Sequence, residues 1–194
     1  MTSRPAVFID RDGTLTEEVG YVNHPCRLRL LPRAGEAIRR LNAAGVAAVV
    51  VTNQAGIARG YFSESVLHAV DEALRAQLAL VGARLDGLYA CLHHPSEGEA
   101  PYRVQCECRK PKPGLLLRAA GELGLDLARS TMVGDKASDL VPARAVGADA
   151  VLVLTGYGRG EWEYQRERFA VQPDHVAADL LEAVDWVLAR RVAA

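Results

Sequence analysis

Two aspartates, Asp10 and Asp12, stand two residues apart in the stretch VFIDRDGTL (7–15), between an apolar run and Gly13. In extended backbone, residues i and i+2 project to the same side of the chain. Two carboxylates held side by side repel, so the pair calls for a cation, a shared proton or both. Gly13 permits the sharp turn that lets backbone amides approach an anion. A calcium loop of the helix-loop-helix type does not fit, because its glycine comes sixth and this one comes fourth. A pair of solvated turn aspartates at a strand end fits the motif, taken alone, about equally well.

Three further polar stretches supply what such a pair lacks: Thr52-Asn53-Gln54, Arg109-Lys110-Pro111-Lys112-Pro113 and Gly134-Asp135-Lys136. Singly, Thr52 reads as a helix cap, Lys110 as a surface charge and Asp135 as a turn residue. Together they provide a hydroxyl, an ammonium and a third carboxylate. A second cluster consists of Cys91, Cys106, Cys108 and either His93 or its neighbour His94. Three thiolates and an imidazole suit tetrahedral zinc, and four protein ligands leave no open position, so such a zinc is structural. The alternative is three ordinary thiols and a surface histidine. The cluster brackets a Gly/Pro/Glu-rich stretch, 95–102, which has no apolar face of its own and needs a clamp. Cys26 stands apart from it.

These residues must be held by regular elements. Apolar runs at 6–9, 46–52, 87–92, 131–133 and 150–154 are mostly continuous rather than alternating. That is the pattern of strands buried on both faces of a parallel sheet. Helical patterns lie between them near 34–44, 63–81, 113–123 and 140–146, with a last one near 175–190. In the second, Val66, Val70, Leu74 and Leu78 recur every four residues, Ser63 can cap the start and Gly82 can end it. Pro113 suits a first helical turn. The alternation predicts a doubly wound, mainly parallel α/β sheet with its ligand crevice beyond the carboxyl ends of the strands. Most of the chemistry-bearing stretches follow those ends.

The 194 residues suffice for one sizeable core, with 49% hydrophobic and 24% charged residues. A net charge of −1 offers no basic surface for nucleic acid or anionic lipid. No apolar run approaches the ~20 residues that span a bilayer, and the start of the chain lacks the pattern of a signal peptide. A monomer in the cytosol is expected, where clustered thiols hold metal more often than they pair.

From Asp10 to Asp135 the polar stretches resemble, in order, the four motifs of the haloacid dehalogenase-like phosphatases, and the resemblance covers at least 7–156. It implies a Rossmann-like phosphatase domain over 1–194, without a large cap and with a zinc-bound loop at about 91–108. Asp10 would attack phosphorus and form an aspartyl-phosphate, and Asp12 would act as general acid and then general base. Thr52 and Lys110 would hold the phosphoryl oxygens. Magnesium would bind Asp10, Asp135 and the backbone carbonyl of Asp12, with Asp139 in a supporting or capping role.

Within that family the chain is similar to a zinc-loop group acting on heptose bisphosphates. The likeness rests on the long loop from His93 to Cys106, on TNQAGIARG (52–60), on Glu18-Val19-Gly20-Tyr21 and on CRKP (108–111). It favours His93 over His94 as a zinc ligand. It implies removal of the 7-phosphate of D-glycero-D-manno-heptose 1,7-bisphosphate, on the way to nucleotide-activated heptose for surface glycans. The substrate would meet Glu18, Val19, Gly20, Tyr21, Thr52, Asn53, Gln54, Ala55, Arg109, Lys110 and Lys136. Many members carry Asp and Ser where this chain has Glu18 and Ala55. A bisphosphate needs positive charge at both ends, and the planar fork of Arg109 suits the distal one. The alternatives are a phosphatase for histidinol phosphate or another small sugar phosphate, and a zinc-stabilised interaction module without activity.

Overall fold

Five of the apolar runs are strands, each within one residue of its expected ends: β1 (Ala6–Ile9), β2 (Ala47–Asn53), β3 (Gly87–Cys91), β4 (Thr131–Gly134) and β5 (Asp149–Val153). The computed structural model describes residues 3–192. A sixth strand, β6 (His175–Ala177), occupies the start of what the sequence suggested was one terminal helix. Three residues are too few to show a period of their own, and pairing with Val151–Val153 of β5 is what makes them a strand. The helix proper, α6 (Leu180–Val192), begins after a reciprocal cap. Asp179 accepts from the Glu182 amide (3.0 Å), and the Glu182 carboxylate accepts from the Ala178 amide (2.7 Å).

The other helices are α1 (Ala34–Ala43), α2 (Glu64–Leu80), α3 (Gly114–Leu123), α4 (Ala137–Ala145) and α5 (Gly158–Gln165). Ser63 caps α2 and Gly82, at φ 70°, follows its end, as the sequence suggests. Pro113 flanks α3 instead of entering its first turn. Helix α4 starts three residues earlier than expected, because the Asp139 carboxylate accepts the Lys136 amide (3.1 Å) and caps the turn directly after β4. Helix α5 was not foreseen. Its sequence, GRGEWEYQ, has weak helical periodicity.

All strands are parallel, in the order β3-β2-β1-β4-β5-β6. Val7 and Ile9 face a core shared with α1, α2 and α6, and Ala6 and Phe8 face one shared with α3 and α4. Both faces are covered, so the strands can be continuously apolar. The strand order reverses between β1 and β4, which opens a crevice at their carboxyl ends. Among the described residues, no helix is long and apolar enough to cross a membrane.

Candidate active site

Pairing of Ile9 with Val133 brings the ends of β1 and β4 side by side, and the Asp10 amide donates to the Val133 carbonyl (2.9 Å). Asp10, Asp135 and Asp139 are buried there, with carboxylate oxygens within 4.8 Å of one another. One ammonium serves the group. Lys110 Nζ donates to Asp10 Oδ1 (2.6 Å) and to the Val51 carbonyl (3.0 Å), and pairs with Asp139 Oδ1 (2.8 Å). Burial opposes the charge on Lys110, but Asp10 and Asp139 outweigh it and raise its pKa. Burial also pushes the Asp10 carboxyl up to about 6, against the pull of Lys110. Asp135 rises to about 7 through burial and its two acidic neighbours.

Asp135 Oδ2 accepts the Tyr157 amide (2.8 Å), while its buried Oδ1 has no hydrogen-bond partner. An orphaned carboxylate oxygen within an all-oxygen donor set fits a hard divalent cation such as magnesium. Asp12 is not part of this carboxylate group. Its side chain bonds to Arg11 and Gln54 instead, so the repulsion expected between Asp10 and Asp12 is met by Lys110 on one and Arg11 on the other.

At the end of β2, Thr52 is buried and its Oγ1 accepts from Gln54 Nε2 (2.9 Å), which leaves the hydroxyl proton free to donate elsewhere. Asn53 grips the backbone of Lys110 twice, accepting from its amide (3.1 Å) and donating to its carbonyl (3.0 Å). The third motif is thus fixed to the second by an amide clamp. Arg109 donates through Nη1 to the His93 carbonyl (3.2 Å).

A cavity of about 580 Å³ opens above these groups, lined by Asp10, Asp12, Glu18, Gly20, Tyr21, Thr52, Asn53, Ala55, Arg109, Lys110, Pro111, Lys136, Ser138, Asp139 and Tyr157. Nearly all the expected substrate residues are brought together here. Val19 and Gln54 are not in the wall. Val19 packs against the core, and the buried Gln54 amide is spent on Asp12 and Thr52.

Tyr157 and Ser138 were missed. Tyr157 belongs to a fifth strand-end motif, Thr155-Gly156-Tyr157, after β5. Thr155 Oγ1 donates to the Gly13 carbonyl (2.6 Å), and a Cβ on Gly156 would sit 2.3 Å from Asp135 Oδ2. The Tyr157 ring lies 4.3 Å from Lys136 Nζ, which also faces Glu18 Oε2 at 3.5 Å. A hydroxyl, a glycine and an aromatic directly after an apolar run were the available signal.

Pairing of Asn53 with Cys91 sets the thiol cluster beside the second motif. Sγ–Sγ separations among Cys91, Cys106 and Cys108 are 3.2–3.6 Å, and His93 Nδ1 lies 3.3 Å from Cys108 and 3.8 Å from Cys91. Such distances exceed the ~2.05 Å of a disulfide and are close to the ~3.8 Å edge of a tetrahedron built on a Zn–S bond of ~2.3 Å. The four residues could hold one metal ion. His94 turns away: its Nδ1 accepts from the Glu97 amide (3.0 Å), and Arg59 lies 3.3 Å from its Nε2. The bracketed loop does have an apolar anchor, contrary to expectation. Tyr102 packs against Ile57, Phe62 and Leu67, and its hydroxyl donates to Glu64.

A family model for HAD-hydrolase-like proteins matches residues 107–183. The chain is 46% identical over 190 residues to a D-glycero-D-manno-heptose-1,7-bisphosphate 7-phosphatase of Thermosynechococcus vestitus, covering 95% of each. It is 46% identical over 187 residues to a D-glycero-beta-D-manno-heptose-1,7-bisphosphate 7-phosphatase of Yersinia pestis, covering 96% of this chain and 90% of that one. Among solved structures, a D,D-heptose 1,7-bisphosphate phosphatase of B. bronchiseptica with magnesium and phosphate matches with a TM-score of 0.83. That match has 32% identity and covers 96% of this chain and 99% of the other. With this similarity along nearly its whole length, the chain belongs to the haloacid dehalogenase-like hydrolases, in the family of the heptose bisphosphate phosphatases.

Proposed function

We propose that this protein removes the 7-phosphate of D-glycero-D-manno-heptose 1,7-bisphosphate through an aspartyl-phosphate on Asp10. The observation that carries the reading is the match to relatives of that name over 95% of the chain. The β label on the Yersinia pestis relative supports the β anomer.

The cavity's chemistry agrees. Asp10 attacks phosphorus, the bond to the leaving oxygen breaks, and Asp12 delivers the proton that oxygen needs. Asp12 then takes a proton from the water that attacks the aspartyl-phosphate and frees Asp10. Lys110 is held ionised by Asp10 and Asp139, so its charge stands ready where the equatorial oxygens gather negative charge. The free hydroxyl proton of Thr52 donates to the same group. Magnesium held by Asp10, Asp135 and the Asp12 carbonyl would supply Lewis-acid charge opposite the phosphoryl oxygens.

Arg109 and Lys136, on the cavity wall, offer positive charge to the distal phosphate, and Glu18, Tyr21 and Tyr157 surround the sugar. Zinc on Cys91, His93, Cys106 and Cys108 is structural, since four protein ligands exclude substrate. A thiolate site of this kind suits the reducing cytosol.

The test is phosphate release, with magnesium, from the α and β bisphosphates, histidinol phosphate and an aryl phosphate, with products resolved by phosphorus NMR. The expected result is the highest kcat/KM on a heptose bisphosphate, leaving the 1-phosphate. Preference for histidinol phosphate, or loss of the 1-phosphate, would overturn the assignment.

A further inference from the structure

Arg11, between the two motif aspartates, is among the largest fully buried side chains of the protein. Burying a guanidinium is costly unless its donors are matched. Its Nε donates to Asp12 Oδ1 (3.0 Å) and its Nη2 to Asp12 Oδ2 (2.9 Å), a two-pronged grip on one carboxylate. Behind it, Nη1 faces Asp71 Oδ1 of α2 at 3.6 Å, an ion pair without a hydrogen bond. The root of the side chain is fixed as well. The Arg11 carbonyl accepts from the amides of Leu15 (3.0 Å) and Thr16 (2.9 Å) and from the Thr16 hydroxyl (3.1 Å).

We infer that Arg11, backed by Asp71, is a positioning residue that sets the plane of the Asp12 carboxylate for proton transfer. This rests on the acid and base role of Asp12 in the proposed function. A carboxylate offers about four acceptor sites. Arg11 takes one on each oxygen of Asp12, and neutral donors face the others: Gln54 Nε2 at 2.8 Å from Oδ2, and at 3.4 Å from Oδ1 the Thr16 hydroxyl, whose single proton is shared with the nearer Arg11 carbonyl. Bonds to the charged fork are roughly twice as strong as neutral ones. The neutral contacts are therefore those that give way when Asp12 passes a proton to the leaving oxygen and later takes one from water. The fork keeps the remaining lone pairs aimed.

Arg11 also gives Asp12 a counter-charge of its own. A fourth carboxylate can then stand next to Asp10, Asp135 and Asp139 without drawing on Lys110.

The experiment measures kcat/KM over a series of aryl phosphates graded by leaving-group basicity. Asp12→Asn first shows how steep the dependence becomes when the acid is lost. Arg11→Met, and Arg11→Met with Asp71→Asn to avoid stranding a buried charge, should steepen it in the same sense. The gap between the best and poorest leaving groups should widen by roughly tenfold or more, within the ~10²–10⁴ that a general acid provides. Arg11→Lys should recover part of the loss. In the Asp12→Asn background the Arg11 substitution should leave the slope where it is, because the two residues act as one unit. A uniform loss across the series in the folded double variant, with Asp12→Asn steepening it, would make Arg11 merely structural and overturn the inference. An unchanged slope in Asp12→Asn itself would remove both the acid role and the inference built on it.

Discussion

Withholding magnesium should make the protein lose stability as pH rises. The perturbation acts on Asp135, which is fully buried, has one oxygen without a partner, and has no ammonium within hydrogen-bonding distance. Its carboxyl rises from an ordinary 3.8 to about 7. The folded state thus holds the proton more tightly than the unfolded chain. Stability is full below about pH 4, declines as pH climbs through 7, and is level above that. At about 1.4 kcal/mol per pH unit, the decline is on the order of 4 kcal/mol.

Asp10, raised to about 6, acts in the same direction over a narrower window. The two are not independent, since the charge on Asp10 helps to raise Asp135, and the second adds less than its full share. Between pH 5 and pH 8 about two pH units of that decline fall, ~2.7 kcal/mol for Asp135. For a chain of this length, ~1 kcal/mol moves Tm by about 2–4 °C, so the metal-free protein should melt roughly 5–11 °C lower at pH 8 than at pH 5. Magnesium, which binds the ionised carboxylates, should recover most of that at pH 8 and little at pH 5. Thermal melts across this range, in buffer depleted of magnesium by exchange rather than by a chelator that would also strip zinc, would measure it. Zinc content is followed in parallel. Equal stability at both pH values without magnesium, or a magnesium effect independent of pH, would refute the reasoning.

Asp10→Asn should nearly abolish turnover with the fold intact, because an amide is a poor nucleophile; activity within a few-fold of wild type, with deamidation excluded by sequencing, would count against it. Arg109→Ala should raise KM for the bisphosphate roughly ten- to a hundredfold, the equivalent of ~1.5–3 kcal/mol for a charge-assisted contact. KM for a simple monophosphate should change far less, and equal changes would move Arg109 to the reacting phosphate. Cys108→Ser should lower zinc content by elemental analysis and turnover by kinetics, with no rescue by excess magnesium, a metal that prefers oxygen ligands. Asn53 also clamps the Lys110 backbone, so that loss of turnover should stop well short of the Asp10→Asn level. A zinc-free, folded variant with full activity would show that the thiol cluster does not help to fix Lys110.

Much of this arrangement is written along the chain. A parallel strand covered on both faces has to be a short apolar run, so β1 to β5 announce themselves, and the residues at or just past the end of each run fall at the crevice whatever the loops do. Asp10, Thr52 and Asp135 were legible for that reason, and Cys91 with Cys106 and Cys108 because soft ligands seldom gather by accident. The short strand β6 was not legible, since His175–Ala177 is a strand only through its neighbour β5.

The tertiary structure alone decided which charges meet. Asp139 pairs with Lys110, 29 residues away by number, and Arg11 reaches Asp71 across 60 (139 − 110 and 71 − 11). In sequence, Arg11 is one more cation beside two acids, and nothing local says that it is buried. The residue types alone leave His93 and His94 open and the family resemblance favours His93; the structure agrees, with His93 reaching the sulfurs and His94 capping the Glu97 turn. The residue types, their order and the strand ends they follow are local properties that short-range patterning reveals. Burial, ion pairing and the close passage of Gly156 against Gly13 and Asp135 depend on chain segments that only the packed sheet brings together. These contacts distinguish a set of polar residues from a site in which each charge has its counterpart.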